Sequence, residues 1–290
     1  EDDSAAEHGF VSYAVDRDAV HAFWLDGRAT VRGEPMTLRT VRLGGGPGID
    51  RTSETLLDDS VCDCCSTAAV MTGTGPLVVY RDRTAGEIRD HLLVRGERPA
   101  DGGIAWGAPR PLHEDGWRIP ACPVNGPAAG RLGDTVWVAW FTAADDRPRV
   151  LAAVSPDGGR TFGAPVTLDA PGDLGEDGPL GRLDLAVVPA DPNGAEDPAA
   201  PVGGDAVISW LGRDADGAVV RLRRLGADGR PGPTVDAARA EGSRASGVPR
   251  LLVLANGHPE PRLLLAWIDP GGDERPRRIR LAGLPASTVP

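Results

Sequence analysis

The chain has 290 residues and a formal charge of −11, and all 31 of its cationic residues are arginine. That balance excludes a nucleic-acid partner, because neutralising phosphates needs a basic face. No run of about 18 apolar residues occurs, which excludes a membrane-spanning helix, while a hydrophobic content of 41% is enough for a sizeable core. The arginine-only, Ala- and Gly-rich usage reads as coding bias rather than function. Its 39 glycines and 27 prolines fall between apolar runs, where they mark turns.

In chain order, five short apolar runs each carry an aromatic residue. They are His21-Ala22-Phe23-Trp24-Leu25-Asp26, Leu77-Val78-Val79-Tyr80-Arg81-Asp82, Trp137-Val138-Ala139-Trp140-Phe141, Val207-Ile208-Ser209-Trp210-Leu211 and Leu264-Leu265-Ala266-Trp267-Ile268-Asp269. By subtraction the aromatic positions lie 56, 60, 70 and 57 apart. Another apolar run precedes each of them, over 10–15, 67–71, 127–129, 183–188 and 251–254. After a polar turn, a further strand opens on arginine: Arg39, Arg89, Arg149, Arg221, and Arg277 or Arg278. A Pro-, Ala- and Asp-rich insertion over 190–204 accounts for the longer spacing of 70. Three or four short strands per unit at this period predict an all-β chain, a β-propeller, as one domain over residues 1–290. Helical repeats would need stretches of 10–15 residues with period 3.6, and the sequence has none.

A second element recurs between units. Asp101-Gly102-Gly103-Ile104-Ala105-Trp106 matches Asp157-Gly158-Gly159-Arg160-Thr161-Phe162, 56 positions later. With Ser155 in front, the second copy resembles the Asp box (S-x-D-x-G-x-T-W/F, or BNR repeat) of the sialidase-like propellers. The resemblance implies a turn between the two outer strands of a blade. Ser155, Asp157, Gly159 and Thr161 would shape that turn and Phe162 would pack inside the blade. Asp101, Gly103 and Trp106 would do the same in the degenerate copy. The family's propellers have six blades and five units are visible, so a further blade is expected before Glu1.

Three of the four cysteines fall in Val61-Cys62-Asp63-Cys64-Cys65, and the fourth in Ala121-Cys122-Pro123. In a propeller, the segments leading into the first strand of each blade share one face. The repeat makes those segments Glu7-His8-Gly9, Cys62 to Cys65, Cys122, Gly181-Arg182 and Pro249-Arg250, which predicts Cys62, Cys64, Cys65 and Cys122 together with His8 alongside. Soft sulfur ligands in that set select copper or zinc. Closely spaced thiols can instead exchange electrons, or Cys122 can form a disulfide with Cys62, Cys64 or Cys65. Any of these joins requires Cys122 within about 10 Å of the triplet. Family resemblance further implies export to the periplasm or cell exterior.

Trp117-Arg118-Ile119-Pro120 is similar to the sialidase R-I-P motif, and Arg118, Arg182 and Arg250 fall where the family binds a sugar carboxylate. Arg81 and Arg83, with Asp82, Asp26 and Arg28, are expected as a charged rim, and Glu87, Arg89 and Asp90 follow in the same blade. The implied ligand is a small acidic molecule or a metal ion, and a protein partner is possible on a propeller rim. The family's tyrosine–glutamate nucleophile is missing, since Tyr80 holds a repeat core position and Tyr13 lies in the first strand. Exo-α-sialidase chemistry is therefore the alternative to a cysteine-based metal or redox site.

Overall fold

The computed structural model describes residues 5–16, 19–44, 53–100, 102–175, 177–190, 203–240, 242–243, 246–254, 260–269, 271 and 276–290. Its regular elements are antiparallel strands, with short 3₁₀ turns such as Thr30–Arg32. The chain divides into two compact units, Glu1–Pro127 and Ala128–Pro290.

The first unit holds two sheets. One has the order β1 (His8–Val15), β2 (Val20–Asp26), β3 (Met36–Leu43) and β4 (Thr55–Val61). The other runs β5 (Ala68–Met71), β6 (Pro76–Arg81), β7 (His91–Glu97) and β8 (Ala105–Trp106), with β9 (Arg110–His113) also paired to β7. In the second unit come β10 (Ala128–Leu132), β11 (Thr135–Thr142), β12 (Arg149–Ser155) and β13 (Val166–Asp169) as one sheet. β14 (Gly181–Pro189), β15 (Gly204–Asp214), β16 (Gly217–Leu225) and β17 (Pro231–Ala240) form the next. Three strands, β18 (Arg250–Leu254), β19 (Arg262–Asp269) and β20 (Arg278–Pro285), complete the described sheets. Each sequence repeat thus becomes one meander of consecutive strands. The aromatic runs are its second strand: β2, β6, β11, β15 and β19.

Burial explains why these second strands read as unbroken apolar runs. Every residue of β6 is buried, as are seven of the eight in β11, so both faces are covered and the usual alternation disappears. The flanking strands β14 and β17 alternate instead, in keeping with one covered face. Tyr80, Trp140 and Trp210 are fully buried, whereas Trp24 and Trp267 are only half-buried. The uniform buried aromatic expected from the repeat therefore holds in the three middle sheets. In the first, the Trp24 indole N–H reaches out to Asp26 Oδ2 at 2.8 Å. The recurrent arginine sits directly across from the aromatic at Trp24–Arg39 and Trp210–Arg221. In the last sheet β20 opens on Arg278, as expected, and Arg280 is the residue across from Trp267.

Each unit has its own core. Phe23, Leu25, Leu38, Val61, Val78, Tyr80 and Val94 pack together in the first. Val207, Leu211, Val220, Leu222, Leu263 and Leu265 do so in the second. At roughly 1.5–3 kcal/mol for each fully buried large aliphatic or aromatic side chain, these clusters dominate the stabilising side.

The Asp-box segment is the turn between β12 and β13. Ser155 Oγ bonds Asp157 Oδ1 at 2.8 Å and accepts the Gly159 N–H at 2.8 Å, and Asp157 accepts from the Thr161 N–H and hydroxyl at 2.9 and 2.7 Å. Gly158 and Gly159 take φ of 71° and 79°, the left-handed region glycine enters without steric cost. Gly102 and Gly103 repeat those angles at 91° and 78° between β7 and β8, while Asp101 lies outside the described residues. Phe162 is half-buried. Trp106 packs edge-on against Phe23 of the neighbouring sheet, with ring centroids 5.7 Å apart. Ser155→Ala removes the acceptor that closes this turn and is expected to cost about 1–2 kcal/mol in a urea unfolding titration. The 190–204 insertion joins β14 to β15, with residues 191–202 outside the described residues.

Candidate functional site

The cysteines gather within the first unit, at the lead-in to β5. β4 ends by bridging to the residue after β6, Val61 to Asp82, and the Cys62 N–H donates to the Arg81 carbonyl at 3.0 Å. That docking buries Cys62 completely and Cys65 to 2% exposure. The Cys122 segment closes over the same place. A Cβ on Gly126 would stand 2.3 Å from the Ser66 carbonyl oxygen, so glycine alone permits that approach. Val124, between them, is held at φ 52°, a costly conformation for a β-branched residue.

Cys64 is disulfide-bonded to Cys122, with Cα atoms 6.0 Å apart, leaving Cys62 and Cys65 as free thiols. The predicted proximity of Cys122 to the triplet is therefore met, by a covalent bond. Cys62 Sγ lies 3.3 Å from Cys65 Sγ and 3.7 Å from Cys64 Sγ. The sulfurs of Cys62, Cys64 and Cys65 are within 4.8 Å of one another. His8 is not part of that group; its Nδ1 stands 3.3 Å from Asp26 Oδ2.

Two arginines flank the thiols. Arg89 Nη1 is 3.4 Å from Cys62 Sγ. Its other nitrogens bond Glu87 at 3.1 and 2.8 Å, and the exposed Asp63 lies 3.6 Å away. The Arg89 N–H donates to the Trp117 carbonyl at 2.9 Å, and Asp90 accepts the Gly116 and Trp117 N–H groups at 2.8 and 2.9 Å. Arg81, expected on an anion-binding rim, is instead a core residue at 2% exposure. Its Nε and Nη2 donate to the Asn125 carbonyl at 3.1 and 2.8 Å, and its guanidinium stacks 4.8 Å from the Trp117 ring centroid. Deep burial lowers the Arg81 pKa, against the sulfurs of Cys65 and Cys62, which raise it.

These neighbours separate the two thiols. The hydrogen bond shared with Cys65 brings the Cys62 thiol down to about 6, against the burial that raises it, with help from the Cys64 N–H and Arg89. Burial pushes Cys65 well up, and its bond to Cys62 adds to that. The two thiols are thus driven in opposite directions, Cys62 toward the thiolate that exchange uses and Cys65 toward the neutral form.

The remaining predicted residues make other contacts. Arg83 bonds Glu87 Oε1 at 2.7 Å. Exposed Arg118 donates from Nε to the Gly86 carbonyl at 3.1 Å. In the second unit Arg182, at φ 59°, donates to the Gly247 carbonyl at 3.3 Å, and exposed Arg250 sits 3.5 Å from Asp184. Asp26 is fully buried. Burial alone would raise its pKa, but Arg28 and Trp24 hydrogen bonds outweigh it and hold the carboxyl at about 2. Arg89 was expected only as part of a charged rim, and Asn125 was not among the residues expected at the site. The signal available for Arg89 was its place at the repeat's recurrent arginine. Asn125 carries none, since it acts through its backbone.

In the same unit, a cavity of about 590 Å³ is lined by Glu34, Asp58, Asp59, Asp82, Arg83 and Glu87 among others. The Tyr80 hydroxyl donates to Asp58, and burial raises Asp82 to about 6.

No protein-family model matches this chain, and no curated protein does. Similar solved structures include the Trypanosoma rangeli sialidase in complex with 2,3-difluorosialic acid, at 13% identity over 96% of this chain and 46% of that one, TM-score 0.48. Another is the Podospora anserina α-L-arabinofuranosidase in complex with cellotriose, at 13% identity, 98% and 92% coverage and TM-score 0.43. A third is the SapL1 lectin with α-methyl fucoside, at 11%, 95% and 80%, TM-score 0.45. This chain spans less than half the length of the sialidase. With all three TM-scores below 0.5, the chemistry of this chain has to be argued from its own residues.

Proposed function

We propose that this chain is a thiol–disulfide redox protein whose centre is carried on a sialidase-like β-propeller. The observation that carries it is the Cys62 sulfur, 3.7 Å from one sulfur of the Cys64–Cys122 disulfide and 3.4 Å from the Arg89 guanidinium. A thiolate attacking a disulfide sulfur is the elementary step of exchange, and a nearby cation favours the thiolate. A disulfide of this kind supports an oxidising location, the periplasm or the cell exterior. The five meanders in series support the propeller reading.

Thiol titration of denatured protein, with and without prior reduction, tests the proposal. Two thiols per chain before reduction and four after are expected. Copper or zinc on the reduced Cys62, Cys64 and Cys65 is the competing reading, because their sulfurs are close enough to share one ion. Four thiols without reductant and a stoichiometric metal by elemental analysis would establish it and remove the redox proposal.

Glycoside hydrolysis has one observation in its favour, the Asp82 carboxyl raised to about 6 by burial at a carboxylate-lined cavity. A general acid must be protonated to act. Cleavage of an acidic-sugar glycoside through Asp82 would therefore fall as pH rises through about 6, and Asp82→Asn would abolish it. A profile flat from pH 5 to 8, or a fully active Asp82→Asn, removes this reading.

A further inference from the structure

Cys62 and Cys65 stand at i and i+3, the spacing of a Cys-x-x-Cys dithiol, overlaid on the tighter Cys-x-Cys-Cys cluster. Both are buried, whereas Cys64 and Cys122 are half-exposed. Of the sulfur contacts, Cys62–Cys65 is the shorter at 3.3 Å and Cys62–Cys64 follows at 3.7 Å. Cys62 is thus in reach of both a resolving thiol and a disulfide.

We infer that the centre is an internal two-electron relay, in which the buried Cys62–Cys65 dithiol reduces the surface Cys64–Cys122 disulfide. The inference rests on the thiol–disulfide reading above. In the first step the Cys62 thiolate attacks Cys64 Sγ. A Cys62–Cys64 bond forms, the Cys64–Cys122 bond breaks, and the electron pair leaves on the Cys122 thiolate. In the second, Cys65 gives up its proton, which reaches the Cys122 thiolate through solvent, and attacks Cys62 Sγ. A Cys62–Cys65 bond forms and Cys64 departs as a thiolate. The buried pair has lost two electrons, the surface pair has gained two, and no outside oxidant or reductant has been consumed.

The architecture fits that direction. Arg89 stabilises the attacking thiolate from 3.4 Å, and Arg81 sits against Cys65, where it favours the anion needed for the second attack. The products, Cys64 and Cys122, are the sulfurs solvent can reach. The substrate class is accordingly an external disulfide, reduced by the surface pair while the buried pair remains as Cys62–Cys65. The full centre then cycles between four thiols, one disulfide in two isomeric positions, and two disulfides.

The test is acid quenching of the whole chain across a series of glutathione redox buffers, followed by alkylation and peptide mapping of every disulfide. Both Cys64–Cys122 and Cys62–Cys65 are expected at the one-disulfide level, with no free thiol after excess oxidised glutathione. In Cys122→Ser the one-disulfide species should be Cys62–Cys65 or Cys62–Cys64. Wild-type protein that keeps Cys62 and Cys65 as thiols at every poise, while Cys64–Cys122 opens and closes, overturns the relay and leaves the redox reading standing. Four thiols in untreated protein overturn both. Because the mapping is done on wild type, a variant that fails to fold does not blunt it.

Discussion

Asp169→Ala is expected to destabilise the second unit by about 3–5 kcal/mol, the usual cost of removing one partner from a buried ion pair. Asp169 is fully buried and Arg221 is 2% exposed. Asp169 Oδ2 accepts from Arg221 Nη1 at 3.0 Å and from the Trp210 indole N–H at 2.6 Å. Without the carboxylate both donors face a cavity, and Arg221 keeps a buried charge supported by Asp236 at 3.1 Å and the Arg213 carbonyl at 3.3 Å. Burial raises the Asp169 pKa despite those bonds, so the pair is costly to assemble as well as costly to break. An apolar replacement of both partners, Asp169→Leu with Arg221→Leu, should therefore recover much of the loss. Urea unfolding of the single and double variants measures it. A single-variant loss under about 1 kcal/mol would show that water compensates the orphaned guanidinium.

The second large effect is on reactivity. Cys62 is expected to titrate near 6 rather than at the ordinary 9.0, read from thiolate ultraviolet absorbance, which needs no reagent to enter a buried site. At pH 7 that difference raises the thiolate fraction roughly 100-fold over an unperturbed thiol. The sign follows from the charged form being favoured in the folded state. Exchange is sustained above the midpoint and fails as pH falls through about 6, whereas the stability contributed by the thiolate is full above about 9 and is lost progressively between there and about 6. Since the Cys65 hydrogen bond is the largest cause, Cys65→Ala should raise the Cys62 midpoint more than Arg89→Gln does. If Arg89→Gln has the larger effect, the guanidinium, not the thiol pair, governs the site.

Much of the fold was legible because the repeat is written in residues with a steric reason to recur. Apolar runs around Tyr80, Trp140 and Trp210 become central strands covered on both faces, and Gly158-Gly159 has to occupy left-handed backbone. Less legible was the difference between copies. Nothing in the runs themselves distinguishes the buried Trp140 from the half-buried Trp24, since that depends on what the neighbouring strands bring. The candidate site was legible as a set of sulfurs and no further. The lead-in positions of Cys62 and Cys122 follow from counting along the repeat, yet the same count also put His8 in the set, and His8 turned to Asp26.

By itself, then, the sequence determined a chain of strand meanders and the recurrence of cysteine at two successive lead-in segments, because periodicity and turn chemistry are local properties. The tertiary structure alone decided which sulfurs are bonded, Cys64 to Cys122, and which stay free, Cys62 and Cys65. It also decided what two arginines of the same unit reach: Arg89 touches Cys62, while Arg81 gives most of its hydrogen bonds to backbone carbonyls and sits against Cys65. Such choices turn on distances of a few tenths of an ångström between segments far apart in the chain, and on the burial that sets one thiol against its neighbour. Neither is encoded in any single stretch of residues.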